Sequence, residues 1–162
     1  MFVGKLTMSR LVIAATPSVR EFFRDAVDSA LEHQALCPSE ATAAYLVELL
    51  CDYARVEEDP FAQPLACVVA AAAGVPPDQS IQQLKQVGDH SLVVAGYFGD
   101  SLERLRLDVD YFVAVGGTAY RKLSRLLRMP SGETRLVVAF SELGAEFIRF
   151  VHVLSDVKRS SN

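Results

Sequence analysis

Apolar residues recur along most of this chain every three to four positions, the signature of amphipathic helices rather than strands. Between Pro17 and Ala35 they fall at Val19, Phe22, Phe23, Ala26, Val27, Ala30 and Leu31. Thr16 followed by Pro17 supplies a helix start, because proline at the first helical position loses no hydrogen bond. Pro38-Ser39 interrupts the pattern, and Ser39 is placed to cap a second helix running to about Arg55, with Leu46, Leu49, Leu50 and Tyr53 on one face. The acidic loop Glu57-Glu58-Asp59-Pro60 ends it. Residues 64–73 are apolar all round and predict a short, central third helix; Gly74-Val75-Pro76-Pro77 then punctuates the chain.

Two longer helices follow, and each changes character midway. The fourth, about 78–98, begins amphipathic, with Ile81, Leu84 and Val87 opposite Gln82, Gln83 and Gln86; after Gly88 it is apolar on all sides. The fifth, about 109–128, is apolar all round from Val109 to Val115, then amphipathic. Both all-apolar halves adjoin residues 99–108, so an antiparallel hairpin would bury them together at one end. Gly96 on one helix and Gly116-Gly117 on the other would let the two backbones approach closely. Asp100-Ser-Leu-Glu103 has the spacing of a variant capping box and predicts a short helix in the connection. A sixth helix is predicted from about Gly132 to Val157, capped by Ser131, with Leu136, Phe140, Leu143, Phe147, Ile148, Val151 and Leu154 facing inward. Only Leu11 to Ala15 could be a strand. The expected fold is therefore all-α: a single compact bundle of about six helices around a buried central hairpin. Residues 1–16 read as an extension, 17–157 as the one domain and 158–162 as a frayed tail; Met1 and Met8 are both plausible starts.

Composition agrees with one packed domain: 162 residues, 51% of them hydrophobic, with seven prolines and nine glycines. Three widely spaced cysteines, Cys37, Cys51 and Cys67, do not make a disulfide framework and point to a reducing compartment. The apolar run after Lys5 and Arg10 is too short for a signal peptide, and no stretch is long enough to cross a membrane. The expected location is cytoplasmic. A net charge of −4 gives no basic field for nucleic acid or anionic lipid. Charge is nevertheless polarised: residues 25–59 carry nine acidic side chains against Arg55 alone, while Arg121, Lys122, Arg125 and Arg128 form a basic run.

Chemical motifs are sparse. No histidine is preceded at three positions by a carboxylate, as a di-iron bundle requires, and the cysteines lack zinc spacing. Glu142 and Glu146 share a face with Arg149 and Asp156, which reads as a solvated stripe. Gly116-Gly117-Thr118 lies within a helix with no phosphate-binding lysine after it, and no nucleophile elbow occurs. No catalytic residue, metal or cofactor is expected. What remains is the polar set around the hairpin end, where Asp89, His90, Ser91, Tyr97, Tyr111, Thr118 and Tyr120 are the candidate ligand-binding residues. Polar groups beside an apolar helix pair must be hydrogen-bonded or cost several kcal/mol. They could equally be structural: Asp100 and Asp108 capping helices, Ser91 and Thr118 bonding back to carbonyls, the tyrosines reaching the rim. By helical angle, Asp89 and His90 fall on the polar side of their helix.

Four blocks in order, EFFRDAVDSALEHQ, SEATAAYLVELL, VGDHSLVVAGYFGDSL and VDYFVAVGGTAYRKL, resemble an uncharacterised all-helical bacterial protein family. The likeness covers most of residues 17–127 and falls on Tyr45, Gly88, Asp89, Ser91, Gly96, Phe98, Tyr111, Gly116 and Tyr120. It implies a bacterial, cytoplasmic helical domain and no particular activity.

Two functional expectations follow. The first is a non-catalytic interaction or regulatory protein that associates with itself or with another protein. The alternative is a small-molecule-binding protein or an enzyme, with its pocket at the hairpin end near Asp89 and Tyr111.

Overall fold

The computed structural model describes residues 16–55 and 77–161. Within them the chain forms seven helices and no strand: α1 (Thr16–His33), α2 (Glu40–Arg55), α3 (Pro77–Gly96), α4 (Gly99–Arg104), α5 (Val109–Ser131), α6 (Arg135–Ala145) and α7 (Phe147–Ser161). No described helix is long and apolar enough to cross a membrane. The expected helix at 64–73, the strand at 11–15 and Cys67 lie outside the described residues.

The hairpin of α3 and α5 is the most extensive helix pair; α6 and α7 pack against it, and α1 and α2 pack in turn against α7 and α6. Leu92, Val94, Leu123, Leu143, Val153 and Leu154 are fully buried between these layers. Glycines set the close approaches, but not as the sequence suggests. A Cβ on Gly96 would lie 2.6 Å from the Leu154 Cβ and 2.9 Å from the Val151 carbonyl oxygen, so Gly96 makes room for α7 rather than α5. Within the hairpin the tight contacts are Gly88 against the Tyr120 ring and Gly116 against Ser91; Gly116 also meets the Phe147 ring of α7.

The predicted sixth helix is two helices. α5 runs on to Ser131, and Gly132, at φ +70°, stops it. Thr134 rather than Ser131 then caps α6, its Oγ1 accepting from the Val137 N–H at 3.3 Å. The break at Glu146 frees the Gly144 carbonyl, which accepts from Arg121 Nη1 at 2.7 Å. With the helix divided, its inward stripe is divided too: Leu136 and Ile148, expected inside, are 51% and 43% exposed. At the other end α7 stays helical to Ser161 where fraying after 157 was expected. Lys158 Nζ sits over the Tyr97 and Phe98 rings, and the Ser160 and Ser161 hydroxyls donate back to the Asp156 and Val157 carbonyls.

The supposed solvated stripe is a polar clamp on the α1–α2 connection. Glu142 accepts from the Ser39 N–H and Oγ and from Thr42 Oγ1. Seven residues on, Arg149 donates to the Gln34 and Ala35 carbonyls, and seven further, Asp156 accepts from Gln34 and pairs with His33 and Arg159. Burial alone would raise both carboxyl pKa values; the hydrogen bonds and, for Asp156, the neighbouring positive charges outweigh it and hold both below their ordinary range. Ser39 caps α2 as expected, accepting from the Thr42 N–H.

Candidate functional site

Asp89 lies in the fourth turn of α3 and is buried, contrary to its helical angle. The polar side of α3 is itself covered: Tyr45 reaches in from α2 and Tyr120 from α5. Both hydroxyls donate to Asp89 Oδ1 at 2.6 Å, and Lys85 Nζ, one turn earlier on α3, meets Oδ2 at 2.9 Å. Phe140 of α6 packs between the phenols, edge-on to Tyr45 and stacked on Tyr120. Tyr120 is wholly inside, not at the rim.

Charge and burial explain how this cluster titrates. Burial, reinforced by the Asp89 charge, pushes the Tyr45 and Tyr120 phenols well above their ordinary value. Tyr53 is pushed up to about 12 for the same two reasons. These phenols are therefore fixed donors at neutral pH. The carboxylate spends its lone pairs on three partners, which suits it to hold helices together more than to move protons. An open cleft of about 300 Å³ runs past its outer edge, lined by Tyr53, Gln82, Gln83, Lys85, Gln86 and Asp89. Gln83 Oε1 is buried there with no hydrogen-bond partner.

The other candidate residues do not join this cluster. His90 is half-buried, and burial lowers its pKa. Ser91 is buried against Gly116 with its hydroxyl unpaired. Tyr97 lies under Lys158, with burial raising its pKa. Thr118 is exposed and accepts from Arg121 at 3.2 Å. Tyr111 is 44% exposed and sits nine residues before Tyr120, roughly 13 Å along α5 at ~1.5 Å per residue. Asp89 and Tyr111 thus belong to different places. Among the described residues no three His, Cys, Asp or Glu side chains could share a metal ion. Cys51 is buried, which raises its thiol pKa, whereas Cys37 is exposed.

The hairpin end holds a different feature, which the helical reading overlooked. α3 brings Leu92, Val93, Val94 and Ala95 almost wholly inside, but α5 leaves its first turn uncovered. Leu105, Leu107, Val109 and Tyr111 are 56%, 45%, 38% and 44% exposed, the expected burial of Val109 and Tyr111 notwithstanding. The reason is placement: α3 is packed by both α5 and α7, whereas α4, the element that leads into the start of α5, touches α5 only lightly. Of the residues from Val109 to Val115, only Phe112 is buried. The short helix α4 does form, yet Asp100 is not its cap; that position is Phe98, with no side-chain cap bond. Asp108 does cap α5, accepting from the Asp110 N–H at 3.0 Å.

The chain matches no protein-family model, no curated protein sequence and no solved structure.

Proposed function

We propose that this protein is a non-catalytic, self-associating interaction protein of the bacterial cytoplasm, and that it docks through the corner between α4 and α5. The observation that carries this reading is the exposure of four large apolar side chains, Leu105, Leu107, Val109 and Tyr111, within seven residues. Single exposed apolar residues are ordinary, but a cluster of this kind marks a contact surface. The cytoplasmic assignment draws on the cysteine pattern, and the bacterial one on the resemblance of the four blocks. Sedimentation velocity on the full chain at rising concentration tests the function. The wild type is expected to move from one chain toward two, and L107S/Y111S to remain a single chain. A wild type that stays a single chain over the whole range contradicts the proposal.

A second reading, favoured by the unpaired Gln83 Oε1 beside the cleft, is a small polar ligand between Tyr53 and Asp89. Native mass spectrometry of gently purified protein distinguishes it, since a bound ligand adds a reproducible mass per chain and its absence removes this reading.

A further inference from the structure

The cleft beside Asp89, at about 300 Å³, lies at the small end of the ~300–1,000 Å³ range of ligand sites. Two helices wall it: Tyr53 stands on the last turn of α2, and Gln82, Gln83, Lys85, Gln86 and Asp89 stand on the middle of α3. Of these six side chains only Lys85 and Asp89 are charged, and they cancel, with Lys85 Nζ 2.9 Å from Asp89 Oδ2. An anionic ligand would meet the Asp89 carboxylate at close range, and a cationic one the Lys85 ammonium. The cleft is therefore suited to a neutral molecule.

The remaining four groups are three carboxamides and a phenol, and each can both donate and accept. Tyr53 keeps its proton at neutral pH, because burial and the Asp89 charge push its pKa up to about 12. One carboxamide lacks a partner. Gln83 is half-buried, and its Oε1 is shielded from water without a hydrogen bond. Such an acceptor costs the fold stability until a donor is supplied. Rotation of the amide about its terminal bond presents either its oxygen or its NH₂ to the cleft. A hydroxyl satisfies both orientations, since it donates as readily as it accepts. A nucleobase is served less well. It calls for a stacking surface on each side, and Tyr53 is the one ring lining the cleft among the described residues.

We propose that this cleft binds a small neutral sugar, a mono- or disaccharide, with Gln83 as its central hydrogen-bonding contact and Tyr53 as its aromatic wall. The inference rests on the small-ligand reading of the cleft given above and names the chemical class of the ligand.

Titration calorimetry and saturation-transfer NMR on the full chain test it. Glucose, N-acetylglucosamine and trehalose serve as neutral probes, with glucuronate and glucosamine as their charged counterparts. At least one neutral probe is expected to bind, and both charged ones to bind at least about tenfold more weakly than it does. Charged probes that bind as tightly would overturn the proposal. Gln83→Met keeps the length of the side chain and removes the amide. It is expected to lose at least about tenfold in affinity, while its thermal midpoint equals or exceeds that of the wild type. A lower midpoint would make the amide a structural group, and an unchanged affinity would put the sugar elsewhere; either result overturns the assignment. If no neutral probe binds, yet the gently purified chain carries another molecule by native mass spectrometry, the sugar class is wrong and the small-ligand reading stands. If no probe binds and the chain carries nothing, both fall.

Discussion

Asp89 and Asp110 both sit on the two helices of the central hairpin, and the chain treats them in opposite ways. Asp89 is 6% exposed and accepts from Tyr45, Tyr120 and Lys85, so three helix segments converge on one carboxylate. Asp110 lies on an exposed first turn, between Val109 and Tyr111, which are themselves uncovered. At Asp89 a polar group has been brought inside and fully partnered; around Asp110 apolar groups have been left outside. A partnered interior polar group holds a fold together. Clustered exterior apolar groups have no such use, and they indicate where another surface belongs.

The comparison breaks most readily at Asp89. Asp89→Ala would strand the buried Tyr120 hydroxyl and the partly buried Tyr45 hydroxyl and remove the partner of Lys85, and is expected to cost about 2–4 kcal/mol in urea unfolding. Asp89→Asn keeps one acceptor oxygen but offers Lys85 an amide donor, for an expected cost of about 1–3 kcal/mol. A neutral result for both would mean that the cluster is not what holds α2, α3 and α5 in place.

Gly88→Ala is expected to come next, at about 1–3 kcal/mol. The new Cβ would lie 2.5 Å from the Tyr120 ring, which is stacked on Phe140 and pinned by Asp89, so it has nowhere to go. A thermal midpoint equal to wild type would show that ring to be looser than its packing implies.

The clamp on the α1–α2 connection gives a smaller effect with a definite sign. Both Asp156 and Glu142 have folded-state pKa values lowered from the ordinary 3.8 and 4.5. Their contribution is therefore present above those ordinary values and lost as pH falls through the lowered ones. The wild-type urea midpoint is expected to drop over that acid range, and D156N/E142Q to flatten the profile. An unchanged profile in the double variant would assign acid sensitivity elsewhere.

The smallest folding effect is expected at the corner itself. Leu107→Ser and Tyr111→Ser should each change stability by no more than about 0.5 kcal/mol, because neither side chain is enclosed. A loss comparable to that of Gly88→Ala would mean that the corner packs against its own chain, and the contrast with Asp89 would disappear.

The helices were legible in the chain because their period is local, and so was the hairpin, from the matching all-apolar halves of α3 and α5. What resisted reading depends on partners far away in sequence. Tyr45 reaches Asp89 across 44 positions, and nothing in residues 78–98 announces it. Glu142 and Asp156 look like solvated carboxylates until Ser39, Thr42, His33 and Gln34 arrive from more than 99 positions away. The break at Glu146 has no proline; its visible correlate is Arg121 taking the Gly144 carbonyl. The corner is a different kind of miss. Its alternation of charged and apolar residues is written plainly from Arg104 to Tyr111, but a helical count assigns Val109 and Tyr111 to a buried end. Only the arrangement of α5 and α7 around α3 shows which of the two apolar halves is enclosed.

Amide hydrogen exchange on the wild-type chain, compared at a dilute and a concentrated protein solution, tests the contrast in one experiment. Exchange is expected to slow with concentration in peptides covering 104–111, while peptides covering 84–96, already held by the Asp89 cluster, exchange alike at both concentrations. Exchange at 104–111 that ignores concentration, or a slowing that appears instead along the Tyr53–Asp89 cleft, would contradict it.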